Sequence, residues 1–165
     1  MKLATLCLLL LVAPACSRIS PEERRAVDAY TETVAPLARE GGRIVVQEIR
    51  PSLGDLSSGR IDAAEFGRRA SAWKAAMQKV RTGFANAPRT PGLEQTAKIF
   101  DISFNLYLEA IDAFVIASSK TGEALTAAIS AAVPTAERAD TTYDQAVGLL
   151  KKERKRVGLP EVSVP

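Results

Sequence analysis

The sequence predicts an all-α protein, an antiparallel up-down four-helix bundle with proline-kinked first and last helices, following an N-terminal signal peptide. Three observations carry that prediction. Apolar residues recur in steps of three and four through most of the chain. Helix-start signals punctuate it at regular intervals. No stretch alternates with the period of two that a half-buried strand requires, and β-branched residues are not clustered. The connections, near 57–60, 85–90 and 118–122, are short, and short connections make successive helices antiparallel neighbours.

At 165 residues the chain holds one domain's worth of sequence, enough to bury a core. Hydrophobic residues make up 47% and charged residues 25%, with mean hydropathy near zero, which argues against both a disordered chain and a polytopic membrane protein. Histidine is absent, so the commonest general base and metal ligand is missing. No serine has an imidazole to activate it, and the reading is of a protein that is not an enzyme and takes no cofactor or metal.

The first helix, 21–56, opens at Ser20-Pro21-Glu22-Glu23, with serine as cap, proline at the first helical position and glutamate at the third. Its seam runs Val27, Tyr30, Val34, Leu37, Gly41 and Ile44, then drifts onto Val45, Ile49, Leu53 and Leu56. Pro36 removes a backbone hydrogen bond inside it, and Gly41-Gly42 and Pro51 weaken it enough to break rather than merely bend it. The second helix, 62–86, is capped by Asp62 with Glu65 three residues on, and Ile61 and Phe66 stand where a hydrophobic staple needs them. Phe66, Ala70, Trp73, Met77, Val80 and Phe84 form its seam, which makes Trp73 a core residue.

Thr90-Pro91 is read as the start of a third helix, 91–118, after the breaker Asn86-Ala87-Pro88. Thr121-Gly122-Glu123 is a weaker start for the fourth, 121–157, and one long helix over 91–133 is the alternative. Leu125, Ile129, Ala132, Ala136, Ala139, Tyr143, Ala146 and Leu150 give the fourth its seam, and Pro134 kinks it. Residues 158–165 read as a flexible tail.

The third helix is apolar almost all round from Ile99 to Ala117. Asp101, Glu109 and Asp112 argue against a membrane span, since each costs about 2.5 to 3.5 kcal/mol near the bilayer centre while each large aliphatic returns about 0.3 to 0.6. At about 100° per residue, Asp101, Asn105, Glu109 and Asp112 share a stripe roughly 80° wide. That stripe is a candidate ligand-binding edge, for a hard cation or a partner's basic groups, or else a solvated strip pairing with arginines of a neighbouring helix.

Residues 1–15 begin with Met1-Lys2, continue with about ten apolar residues and end in Ala13-Pro14-Ala15, the layout of an export signal. The apolar run is too short to span comfortably, since a spanning helix needs about twenty such residues. This arrangement resembles the signal and lipobox of bacterial lipoproteins, carried by Ala15-Cys16 with Ser17 after it, although Ala13 stands where leucine is usual. The resemblance covers only the first 17 residues. It implies a diacylglyceryl group on the Cys16 thiol and cleavage before it, leaving residues 16–20 as a lipidated cysteine and short tether. Cleavage after Ala13-x-Ala15 by ordinary signal peptidase, releasing a soluble protein, is the alternative. A lone thiol in an oxidising compartment favours the lipid, which accounts for it. The expected location is the cell envelope, on a membrane surface, with the membrane and an envelope protein as partners and a structural or protein-interaction role. The alternative is an envelope binding protein for a small apolar ligand or cation in the bundle interior, in a gap opened near Pro36 and Pro134 or at the acidic edge of the third helix.

The stretch KKERKR at 151–156 carries five cations and Glu153, so the basic balance is local. An exported chain does not meet nucleic acid, and none is expected as a partner. Cations in the last turns complement the helix dipole. In an up-down bundle that helix ends beside the start of the first, which makes Lys151, Lys152, Arg154, Lys155 and Arg156 candidates for contact with anionic headgroups on the Cys16 side.

Overall fold

The structure, a computed structural model, describes residues 19–162. The signal segment and Cys16 lie outside the described residues, as do the last three of the tail. The described chain is an all-α four-helix bundle with no strand. Its first rod comprises α1 (Pro21–Arg43), a π-helical turn (Ile44–Ile49) and α2 (Arg50–Ser57); α3 (Ala63–Ala85), α4 (Glu94–Ala117) and α5 (Gly122–Arg156) follow.

Local chemistry sets the helix starts. The Ser20 hydroxyl accepts the Glu23 N–H at 3.0 Å, and Asp62 Oδ1 accepts that of Glu65 at 2.7 Å. Each satisfies one of the donors a helix start leaves free. Phe66 is fully buried and Ile61 is partly buried against the core.

The third helix differs from expectation at its start. Thr90-Pro91 opens a turn, closed by the Leu93 N–H on the Thr90 carbonyl, and α4 begins only at Glu94. Gly92 explains the delay: its φ of 87° is left-handed, so no helix continues from Pro91 through it. A side chain at Gly92 would also meet Glu153 Oε1 at 2.7 Å. At the other end, Thr121 is extended and Gly122 has φ 55°, which separates α4 from α5 and excludes one helix over 91–133.

The first rod bends its hydrogen bonding without breaking. Helix continues through Pro36, as it does through Pro134 in α5, and past Gly41-Gly42. From Ile44 it widens to a π turn, closed by the Arg50 N–H on the carbonyl of Val45, five residues back. The wider turn absorbs the drift of the seam, bringing Ile44, Val45 and Ile49 all inward. Upstream, Ala38 rather than Leu37 is fully buried; Leu37 lies half-buried over Gly83 of α3, where an added Cβ would come within 2.7 Å of it.

Cross-helix pairs fix the direction of packing. Arg81 and Lys74 of α3 meet Asp101 and Asp112 of α4; Phe100 and Tyr107 of α4 meet Tyr143 and Asp140 of α5; Asp28 and Arg50 of the rod meet Arg154 and Asp140 of α5. In each case one number rises as the other falls, so neighbours run antiparallel, up, down, up and down. All nine aromatic side chains are buried. Phe84, Phe100, Phe104 and Tyr143 form one cluster with centroids 4.7 to 6.3 Å apart, and Phe66, Trp73 and Phe114 a second. No residue of α5 before Ala132 is buried, so Leu125 and Ile129, expected on its seam, are only half-covered.

The expected flexible tail is docked as far as it is described. Leu159 and Val162 pack against the core, and the Pro160 carbonyl accepts from Arg154.

Phe104→Ala should lower the free energy of unfolding by about 3 to 5 kcal/mol in denaturant titration. Gly148→Ala, with no atom within 4 Å of the added methyl, should raise it by about 0.5 to 1 kcal/mol. Burial pushes Tyr30 up to about 12 and raises Tyr107 and Tyr143 as well, Tyr107 also through its bond to Asp140. The unfolded chain gives up these protons near pH 10 and the folded one only higher, so stability is full below about pH 10 and lost as pH rises through about 12. Tyrosinate absorbance that lags the ordinary titration and then appears together with loss of helix would register this.

Candidate functional site

The acidic stripe of α4 lies along its seam with α3, and α3 supplies cations to it. Arg81 Nε donates to Asp101 Oδ1 at 2.9 Å, Asn105 Nδ2 donates to Asp101 Oδ2 at 3.2 Å, and Lys74 Nζ lies 2.6 Å from Asp112 Oδ1. Glu109 is exposed between them and makes no ion pair among the described residues. The four residues thus share one face, as their spacing requires, with both outer carboxylates already balanced by charge. Among the described residues, no group of three or more carboxylate or thiol side chains is placed to hold a metal ion. Exposed pairs of this kind contribute about 0.2 to 1 kcal/mol each.

The basic end divides into two sets. Arg154, expected at the membrane surface, is only 4% exposed. Its Nη1 donates to Asp28 Oδ1 at 2.9 Å, and its Nε and Nη2 both donate to the Pro160 carbonyl, at 3.1 and 3.0 Å. The physical reason lies in register: position 154 continues the seam Tyr143, Ala146, Val147 and Leu150, so the side chain points inward and a charge placed there needs buried partners. Arg154 is a clamp between the end of α5, the start of α1 and the tail. Arg156 is half-exposed and binds both Glu153 and Glu23, a second tie between α5 and α1.

Lys151, Lys152 and Lys155 are exposed, form no ion pair among the described residues and share an arc of roughly 100° on the outer face of α5. Arg24 and Arg25 of α1 and Arg89 of the α3–α4 loop are exposed at the same end, against exposed Glu22, Glu94 and Glu161. Sequence reasoning overlooked these three arginines, because only the folded topology brings them beside α5. The opposite end presents Ile116, 65% exposed. No helix among the described residues is long and apolar enough to cross a membrane.

A third cluster was also not foreseen. Tyr107 Oη of α4 donates to Asp140 Oδ1 of α5 at 2.6 Å, and Arg50 Nη2, at the start of α2, donates to Asp140 Oδ2 at 2.8 Å. Tyr107 and Asp140 face each other where the rod turns π-helical. Comparison of the chain with protein-family models, with curated proteins and with solved structures finds no match in any of the three.

Arg154→Ala should destabilise the protein by on the order of 2 kcal/mol, because it removes hydrogen bonds from a charged donor and unfastens the tail. Replacing Lys151, Lys152 and Lys155 together by glutamine should leave the thermal midpoint nearly unchanged, as solvated surface positions do. Scanning calorimetry of both variants checks the division.

Proposed function

We propose that the protein is an exported envelope lipoprotein, tethered to a membrane through a diacylglyceryl group on Cys16, whose bundle serves as a structural or protein-interaction module. The observation that carries this reading is the clamping of the last turns of α5 to the start of α1, by Arg154 on Asp28 and Arg156 on Glu23. It sets Lys151, Lys152 and Lys155 at the end of the bundle from which the chain leads back to Cys16. Three residues separate Cys16 from Ser20, four Cα-to-Cα steps that span at most about 14 Å. That is little more than a screening length of about 8 to 10 Å, so these cations reach the field of an anionic headgroup layer.

Lipid attachment fits the sequence chemistry, because it gives the one cysteine after the signal segment a role. Each buried methylene contributes about 0.8 kcal/mol, and more than one acyl chain anchors stably. The lysines then orient the bundle with its opposite end, and Ile116, directed toward an envelope partner. The module is read as non-catalytic, consistent with a chain that contains no histidine.

Cys16→Ala should move the protein from the membrane fraction to the soluble fraction, and the intact mass of the wild-type product should show a cleaved, acylated chain. A Cys16→Ala protein that stays with membranes would overturn the anchor. Each of Lys151→Gln, Lys152→Gln and Lys155→Gln should weaken binding to anionic vesicles about five-fold at low salt, corresponding to about 1 kcal/mol per cation, and high salt should remove the difference.

A further inference from the structure

Where the first rod turns π-helical, α4 and α5 do not close fully against it. Two adjacent cavities of about 280 and 150 Å³ open there, and Val45, Arg50, Tyr107 and Asp140 line both. The larger is walled mainly by apolar side chains, including Ile49, Leu53, Ile111 and Phe114. The smaller reaches Gly41, Gly42, Phe104 and Tyr143. An apolar chamber with a few convergent polar groups is the usual form of a small-molecule site, and π turns recur at functional sites.

The polar groups are unequal in sign. Asp140 is shared between Tyr107 and Arg50, while Glu137 and Asp144 line the cavities with no ion pair among the described residues. Three carboxylates therefore stand against one guanidinium. An anionic head group would meet net repulsion, and a cation net attraction. Tyr143 is 8% exposed and lines the smaller cavity, and its covered hydroxyl has no hydrogen-bond partner among the described residues. A buried hydroxyl without a partner costs stability, and a ligand reaching it would remove that cost. Phe104, Tyr107 and Tyr143 are among the lining residues, and aromatic rings attract cations.

We infer that this cleft binds a small apolar amine, its hydrocarbon body in the larger chamber and its ammonium held by Asp140 and Asp144, with the Tyr143 hydroxyl as a further acceptor. Arg50, whose side chain is 59% exposed, can turn to solvent as the ammonium takes its place on Asp140. The inference goes beyond the anchored-module reading and does not depend on the lipid.

The test is a titration of the full chain with phenethylamine, 3-phenylpropionate and 2-phenylethanol, followed by tyrosine and methyl NMR shifts. The amine should bind at least ten-fold more tightly than the carboxylate, and Asp140→Asn should abolish that preference; exposed Asp144→Asn, which should reduce it, serves if the first variant does not fold. Tyr143→Phe should weaken amine binding about five-fold while keeping or raising the thermal midpoint, because the hydroxyl it removes has no partner among the described residues. Equal binding of all three probes, no saturable binding of the amine, or a Tyr143→Phe variant with a lower midpoint and unchanged amine affinity would each overturn the assignment.

Discussion

The bundle depends on burying aromatic side chains around α4. Phe100 and Phe104 lie between Phe84 of α3 and Tyr143 of α5, and at the other end of α4 Phe114 meets Phe66. Each ring buries on the order of 150 to 250 Å², so a few such residues supply much of the driving force available to a domain of this size. Because α4 packs on both α3 and α5, its register fixes theirs. The rod closes the fourth side, where a Cβ added at Gly41 would make ordinary packing contact with Phe104 and Val80 at 3.6 Å.

The rod meets that core only because it changes pitch. A regular helix from Val27 onward would carry the apolar stripe gradually off the interface, and Pro51 removes a hydrogen-bond donor just where the stripe drifts. The π turn resolves both problems with one wider loop of backbone. The same widening moves the backbone beside Tyr107 and Asp140, where helix packing is incomplete. Continuity of the core and the cleft in its side thus share one cause.

Much of the fold was legible because its signals are local. Caps at Ser20 and Asp62 involve atoms three residues apart, and the seam of α3 repeats without a fault from Phe66 to Phe84. What could not be read depends on conformation or on distant partners. Thr90-Pro91 has the composition of a helix start, and only the left-handed Gly92 moves that start to Glu94. Arg154 sits among four other cations and reads as solvated, although its three-and-four spacing from Leu150 and Val147 was a signal that it faces inward. Of the candidate stripe, the common face of Asp101, Asn105, Glu109 and Asp112 and its pairing with an arginine of a neighbouring helix were legible, whereas which helix supplies Arg81, and that Lys74 joins it, were not. Arg50 and Tyr107 meet Asp140 across 90 and 33 residues of chain, and no pattern in sequence announces such a meeting.

The seating of the last described residues has a practical consequence for anyone handling the molecule. Pro160 offers its carbonyl to a guanidinium that has no water to fall back on, with Leu159 and Val162 as a lid beside it. A chain shortened after Val157 would strip that oxygen away and open the interior where α5 ends beside the start of α1, so a purification handle grafted there would loosen the whole assembly. The turn at Ser58, Gly59 and Arg60, exposed and at the other end of the first rod from the Arg154 clamp, is the safer place to carry a label.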